Sequence, residues 1–285
     1  MLETDKQKSW MKKSKLGTRV LVAFTLGPVI LVSAYYGGGY FLAVVALIAF
    51  VATWEYFALA SRLGFRAHTV PGLFGTGLLL WACYSGDFQL AFGSLVGLAV
   101  LASLAQIFRG PQGSTAALAS TVFGSLYLGG LFGHILLIRE LPKAVGLPYD
   151  TAGTWIVGLF LTVWVCDTAA YFGGSLFGKR KLAPRVSPGK TWEGALSGLF
   201  FALLTAWLAD AFFLRGLAFP HVITMGLIVG TFGQASDLAE SLFKRDAGVK
   251  DSSSLIPGHG GMLDRFDSLI LISPVFYWYL RLVAF

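Results

Sequence analysis

The chain has 285 residues, of which 55% are hydrophobic and only 13% charged, with 35 glycines and a formal net charge of +7. Its mean hydropathy of +0.69 excludes an ordinary soluble globular domain. The two cysteines, Cys83 and Cys166, both lie in apolar runs and point to neither a disulfide framework nor a metal site.

A basic segment opens the chain (Lys6, Lys8, Lys12, Lys13, Lys15, Arg19) and no small-residue cleavage site follows it, so no cleavable signal peptide is expected. Nine apolar runs of roughly membrane-spanning character then follow: Val20–Gly38, Tyr40–Ala60, Gly72–Tyr84, Phe88–Phe108, Ala116–Ile138, Thr154–Phe177, Ala195–Leu214, His221–Phe243 and Ser268–Phe285. The third is short. The eighth ends on Gln234, Asp237 and Glu240, so that end is expected to face protein or water rather than lipid. The predicted fold is an all-α, polytopic membrane helical bundle of about nine transmembrane helices. It divides into a basic segment (1–19), an N-terminal packing and dimerisation region (20–153) and a C-terminal region carrying the chemistry (154–285).

In the first five spans only Glu55 and His134 stand out, and the plainer reading of each is a side chain bonded to a neighbouring helix or close to an interface. Small-xxx-small pairs recur at Gly93/Gly97, Gly129/Gly133, Gly194/Gly198 and Gly226/Gly230, as close helix packing or dimerisation requires.

Orientation follows from the cations. With the N-terminus in the cytoplasm, 18 of the 22 Lys and Arg fall on the cytoplasmic side, leaving Arg139, Lys143, Arg215 and Arg281 opposite. The insertion rule therefore accounts for the positive charge without nucleic acid, and attraction to anionic lipid is a consequence.

Charge is concentrated in Ser241–Asp267, where eight of 27 positions are Lys, Arg or Asp between two apolar runs. Ionisable groups at a membrane boundary are costly, so function is the default reading. Asp237, Glu240, Ser241 and Lys244 share one helical face, and Asp264 and Asp267 stand three apart where the last span begins. For a single aspartate a helix cap suffices as an explanation. Asp237, Asp264 and Asp267 on two adjacent helices are expected to hold a divalent cation, and hard oxygen ligands without Cys or His favour Mg²⁺ over zinc. Asp167, inside the sixth run, is either a partner for a lysine or helix end, or a group that positions substrate.

Lys179, Arg180, Lys181, Arg185 and Lys190 in one loop face Lys244, Arg245, Lys250 and Arg265 in the other, a set suited to a triphosphate. Pro257 to Gly261 reads as a tight turn whose backbone N–H groups could cradle phosphate, with His259 either donating or fixing the turn. The run from Gly173 to Gly178-Lys179 imitates a P-loop, but Arg180 replaces the required Ser or Thr and no strand precedes it.

Ser241–Asp267 resembles the signature of the phosphatidate cytidylyltransferase (CDP-diacylglycerol synthase) family at every specified position: Ser241, Lys244-Arg245, Lys250-Asp251, His259-Gly260-Gly261, Asp264-Arg265 and Asp267. A second similar block runs Cys166–Gly174, Gly178-Lys179 and Ser187–Gly194. The resemblance implies transfer of CMP from CTP to phosphatidate, giving CDP-diacylglycerol and pyrophosphate. It further implies a homodimer in the inner membrane of a bacterium with the site facing the cytoplasm, Mg²⁺ at Asp237, Asp264 and Asp267, and a second, monovalent cation such as K⁺. Catalytic roles fall on Asp237, Asp264, Asp267, Lys244 and Arg265. Substrate contacts fall on Asp167, Lys179, Ser187, Lys190, Thr191, Glu193, Arg245, Lys250, Asp251, His259, Gly260 and Gly261.

Two rival readings remain. A transporter would place carboxylates near the midplane of paired interrupted helices. A CTP-using polyprenol kinase would share the metal and triphosphate logic without the full signature.

Overall fold

The computed structural model describes residues 24–256 and 260–285. The basic N-terminal segment and Pro257, Gly258 and His259 lie outside them, and with them the expectation for His259. Helices dominate. They are α1 (Phe24–Tyr36), α2 (Gly38–Arg62), α3 (Thr69–Ser85), α4 (Phe88–Arg109), α5 (Ser114–Ser125), α6 (His134–Val145), α7 (Tyr149–Phe177), α8 (Trp192–Phe212), α9 (Phe219–Ile228), α10 (Gln234–Asp246) and α11 (Leu263–Tyr279). Among the described residues six helices are long and apolar enough to cross a membrane, and a seventh crossing results if α5 and α6 form one bent span. Within the described residues, each apolar run falls on a helix or a helix pair, the first from Phe24 onward.

Two departures from the expected elements have physical causes. Run Ala116–Ile138 is not one straight helix: α5 passes into a π-helical turn at Leu126–Leu131, and α6 leaves at 40°. Gly129 sits there without a side chain because a Cβ would come 2.9 Å from the Thr76 backbone of α3. The polar loop after the sixth run contains a small antiparallel hairpin, β1 (Lys181–Ala183) and β2 (Ser187–Thr191), with Lys181 opposite Thr191 and Ala183 opposite Ser187. The last helix extends ahead of its apolar run, starting at Leu263, so both signature aspartates lie in its first turns, as their spacing predicts.

The core is built from α2, α6, α7 and α11, around fully buried Phe41, Trp155, Phe160 and Phe276. By contrast, α4 and α8 are only 22% buried, and they present Phe92, Ile107, Phe108, Phe200, Trp207 and Phe212 outward, as lipid-facing helices do. Far along the chain from the charged loops, buried Arg139 fills the break between α1 and α2. Its guanidinium donates to the carbonyls of Ala34 (2.8 Å), Tyr35 (2.8 Å) and Tyr149 (2.9 Å) and lies over the Tyr149 ring. The carbonyls of Ala34 and Tyr35, in the last turn of α1, have no intrahelical partner and would otherwise be unsatisfied, at about 1–3 kcal/mol each. Gly37, with φ 70°, makes the break possible: a Cβ there would stand 2.5 Å from the guanidinium.

Candidate active site

Helix α8 starts where Thr191 caps it, its hydroxyl accepting from the Gly194 N–H at 3.1 Å. Directly after this cap, α8 crosses α7 at backbone contact: a Cβ on Gly194 would lie 2.7 Å from the Ala170 carbonyl oxygen. This crossing holds the hairpin beside α7. Glu193 ties down the segment in between, its carboxylate accepting from the backbone N–H groups of Lys179 (3.1 Å) and Arg180 (3.2 Å).

Helices α10 and α11 are tied by Ser236. Its hydroxyl donates to the Asp267 carbonyl and accepts from the Leu271 N–H (3.2 Å), so it stands in the ladder of α11 where a backbone bond would be. Between these two tied pairs, α7/α8 and α10/α11, opens a cavity of ≈ 530 Å³. It is lined by Asp167 from α7, Ser187, Lys190 and Thr191 from the hairpin, and Asp237, Lys244 and Arg245 from α10. Lys250 and Asp251 from the following loop and Asp264, Arg265 and Asp267 from α11 complete it. Twelve of the sequence-predicted site residues thus converge on one cavity, from segments a hundred residues apart.

The polar groups are organised in two sets. Lys190 reaches across to α10, its Nζ lying 2.9 Å from Asp237 Oδ2 and donating to the Gln234 carbonyl at 3.3 Å. Asp167 opens into the cavity, with Ser268 Oγ at 3.4 Å, and shares its lining with Asp237 and Asp267. In the second set, buried Lys244 bridges Glu240 and Asp264, its distance to Asp264 Oδ1 being 2.6 Å. Asp264 Oδ2 accepts from the Ser252 N–H (2.9 Å), the Ser252 hydroxyl (2.8 Å) and the Gly261 N–H (2.8 Å). Three donors thus crowd Oδ2, while Oδ1 accepts from Lys244 and keeps a second acceptor position.

Some predicted residues lie elsewhere. Lys179, Glu193, Gly260 and Gly261 do not line the cavity. The Gly260 carbonyl accepts from Ile256 at 2.9 Å, and the Gly261 N–H serves Asp264. His134 bonds the Gly130 carbonyl at 2.8 Å and packs on Tyr277. Sequence reasoning noted Gln234 only as a polar end of the eighth run and missed Ser236, Ser252 and Ser268, small polar residues that carry no signal until their neighbours are known.

Among the described residues no three His, Cys, Asp or Glu side chains stand together as a ready metal cage. Mg²⁺ does not need one: it is usually held by one or two carboxylates plus substrate phosphates. Asp237 and Asp267, with Asp167 beside them, offer hard oxygens of that kind in a cavity whose cations suit phosphate. Asp264, which also lines the cavity, could join such a shell through Oδ1, beside Lys244.

The fold and the cavity together define a polytopic membrane enzyme that handles anionic substrates at the end of a helical bundle. The chain belongs to the Cytidylyltransferase family, whose sequence model matches residues 17–283. It is 34% identical over 292 residues to a phosphatidate cytidylyltransferase of Haemophilus influenzae, covering 94% of this chain and 98% of that one. A phosphatidate cytidylyltransferase of Brucella melitensis is 35% identical over 267 residues, with 93% of each chain covered. One from Staphylococcus aureus reaches 47% over 122 residues, which are 42% of this chain and 46% of its own.

Proposed function

We propose that this chain is a phosphatidate cytidylyltransferase, transferring CMP from CTP to phosphatidate to give CDP-diacylglycerol and pyrophosphate. The observation that carries the reading is the single cavity in which both family-like blocks meet, joined by the Lys190–Asp237 ion pair. The lipid's phosphate oxygen attacks the α-phosphorus of CTP, the α–β bridging bond breaks, and pyrophosphate leaves with the electron pair. The nucleophile is already an anion, so no strong base is required. The obstacle is repulsion between two anions, which Lys190, Arg245, Lys250 and Arg265 around the cavity offset. Asp237 and Asp267 are the residues that would hold Mg²⁺, which when bound neutralises phosphate charge on the triphosphate. A monovalent cation such as K⁺ is an accessory of the same reading.

The finer points concern assembly and placement. The enzyme is a nine-span protein of the bacterial inner membrane with its site facing the cytoplasm, supported by the 18-to-4 split of cations. It works as a homodimer. In support, no described residue lies within 4 Å of where a Cβ on Gly93 or Gly97 would stand, whereas Gly194, Gly198, Gly226 and Gly230 are all packed against neighbouring helices.

The test is purified protein in detergent with phosphatidate and CTP labelled at the α-phosphate. Label should pass to the lipid, pyrophosphate should appear in equal amount, and ATP should be a poor donor. Lipid that binds while no pyrophosphate is released at any Mg²⁺ concentration would sink the reading.

A further inference from the structure

The structure assigns Glu55 as a positioning residue of the catalytic pocket: from α2, in the other half of the chain, it holds the loop before α11 and with it Asp264, Arg265 and Asp267. This rests on the cavity being the catalytic one. Glu55 is 0% exposed and accepts at both oxygens. Oε1 takes the Ser253 hydroxyl (2.6 Å) and the Met262 N–H (3.0 Å). Oε2 takes the Leu263 N–H (2.7 Å) and lies 3.2 Å from the Ser252 hydroxyl, which shares its single proton with Asp264.

The position of these donors decides what the contact does. The first N–H groups of a helix have no intrahelical partner, and α11 has no side-chain cap of its own. Glu55 supplies that cap from 207 residues away in sequence, with its charge at the favourable end of the helix dipole. Through Ser252 the same carboxylate touches the shell of Asp264, which in turn fixes Lys244. Gly261 shows how tight the fit is: a Cβ there would come 2.0 Å from the Ser252 oxygen and 2.6 Å from Glu55 Oε1. Glu55 itself does not line the cavity, so it acts through residues that do.

The experiment compares Glu55→Gln, Gly261→Ala and their double variant by steady-state kinetics. Gln keeps one acceptor oxygen but turns an amide N–H₂ against donors. Displacing the groups that a positioned carboxylate fixes costs roughly 10- to 100-fold in activity. That loss is expected in kcat, with KM for CTP and phosphatidate unchanged, and the double variant should be no worse than the singles. Thr53→Ala is the control. Thr53 is buried on the same helix, bonding Ala49 and Thr76, so its loss should lower melting temperature and leave kcat intact. Normal kcat in Glu55→Gln, or losses that multiply in the double variant, overturn the assignment. If Glu55→Gln does not insert, Gly261→Ala decides alone. Asp237→Asn, which does not touch this loop, separately tests the pocket: full activity there refutes the catalytic reading rather than the role of Glu55.

Discussion

Asp237, Asp264 and Asp267 are chemically alike and lie within thirty residues of one another, yet the protein uses them differently. Asp237 has one ion pair with Lys190 and remains open to the cavity, whereas Asp264 already accepts four bonds, one from Lys244 at Oδ1 and three from Ser252 and Gly261 at Oδ2. On the proposed Mg²⁺ reading, Asn at 237 or 267 removes charge from the cation's ligands, so activity should fall by at least about 100-fold and recover partly at high Mg²⁺. Asn at 264 puts an amide against the Ser252 and Gly261 donors, so the loss should be as deep but insensitive to added Mg²⁺. Activity against Mg²⁺ concentration for the three variants separates these outcomes. Equal Mg²⁺ rescue of all three would place Asp264 in the metal shell beside the others. Near-normal rates at low Mg²⁺ for both Asp237→Asn and Asp267→Asn would remove the metal assignment.

Among the elements, the α7/α8 crossing sets the shape of the cavity. Gly194 lets the helices meet backbone to backbone, and Gly173, whose Cβ would strike Ser197 Oγ at 2.2 Å, does the same one turn away. Gly194→Val should push the hairpin and Lys190 away from α10, raising KM for CTP several-fold and lowering stability by about 1–3 kcal/mol. Unchanged KM for CTP in a folded Gly194→Val protein would detach the hairpin from nucleotide handling. What the sequence made legible at this scale follows from what it encodes locally. Apolar composition locates each helix, and Asp264 to Asp267 spacing places both carboxylates on the opening turns of α11. The bend at Leu126–Leu131 was invisible because the run stays apolar across it, while Thr76, against which Gly129 packs there, lies on another helix. The hairpin was invisible because strands of three and five residues, one ending just before Pro184 and the other containing Pro188, are too short to show alternation.

For the whole molecule, the charged cavity lies at one end of the bundle and the Arg139 clamp at a chain break well removed from it in sequence. On the cation split, we propose that the cavity faces the cytoplasm. Cys83 and Cys166 are buried, so an introduced cysteine reports alone. Cysteine at exposed Arg185 or Ser254 should react with an impermeant reagent only after cells are opened. Labelling in sealed cells would invert the topology. The contribution of the N-terminal half to the site could not be read from the chain, since Glu55 looks like any carboxylate in an apolar run until its four donors, two hundred residues later, are in place.

The Glu55 contact also has a consequence for biogenesis. A ribosome delivers α2 to the membrane long before it makes the loop that α2 must hold, so the acceptor waits and the donors arrive last. The site is then finished only when the terminal helix threads into an already assembled half, and a partly inserted chain handles no CTP. Residues 1–153 and 154–285 made as separate polypeptides should each be silent and active together, and Glu55→Gln in the first should weaken that restoration.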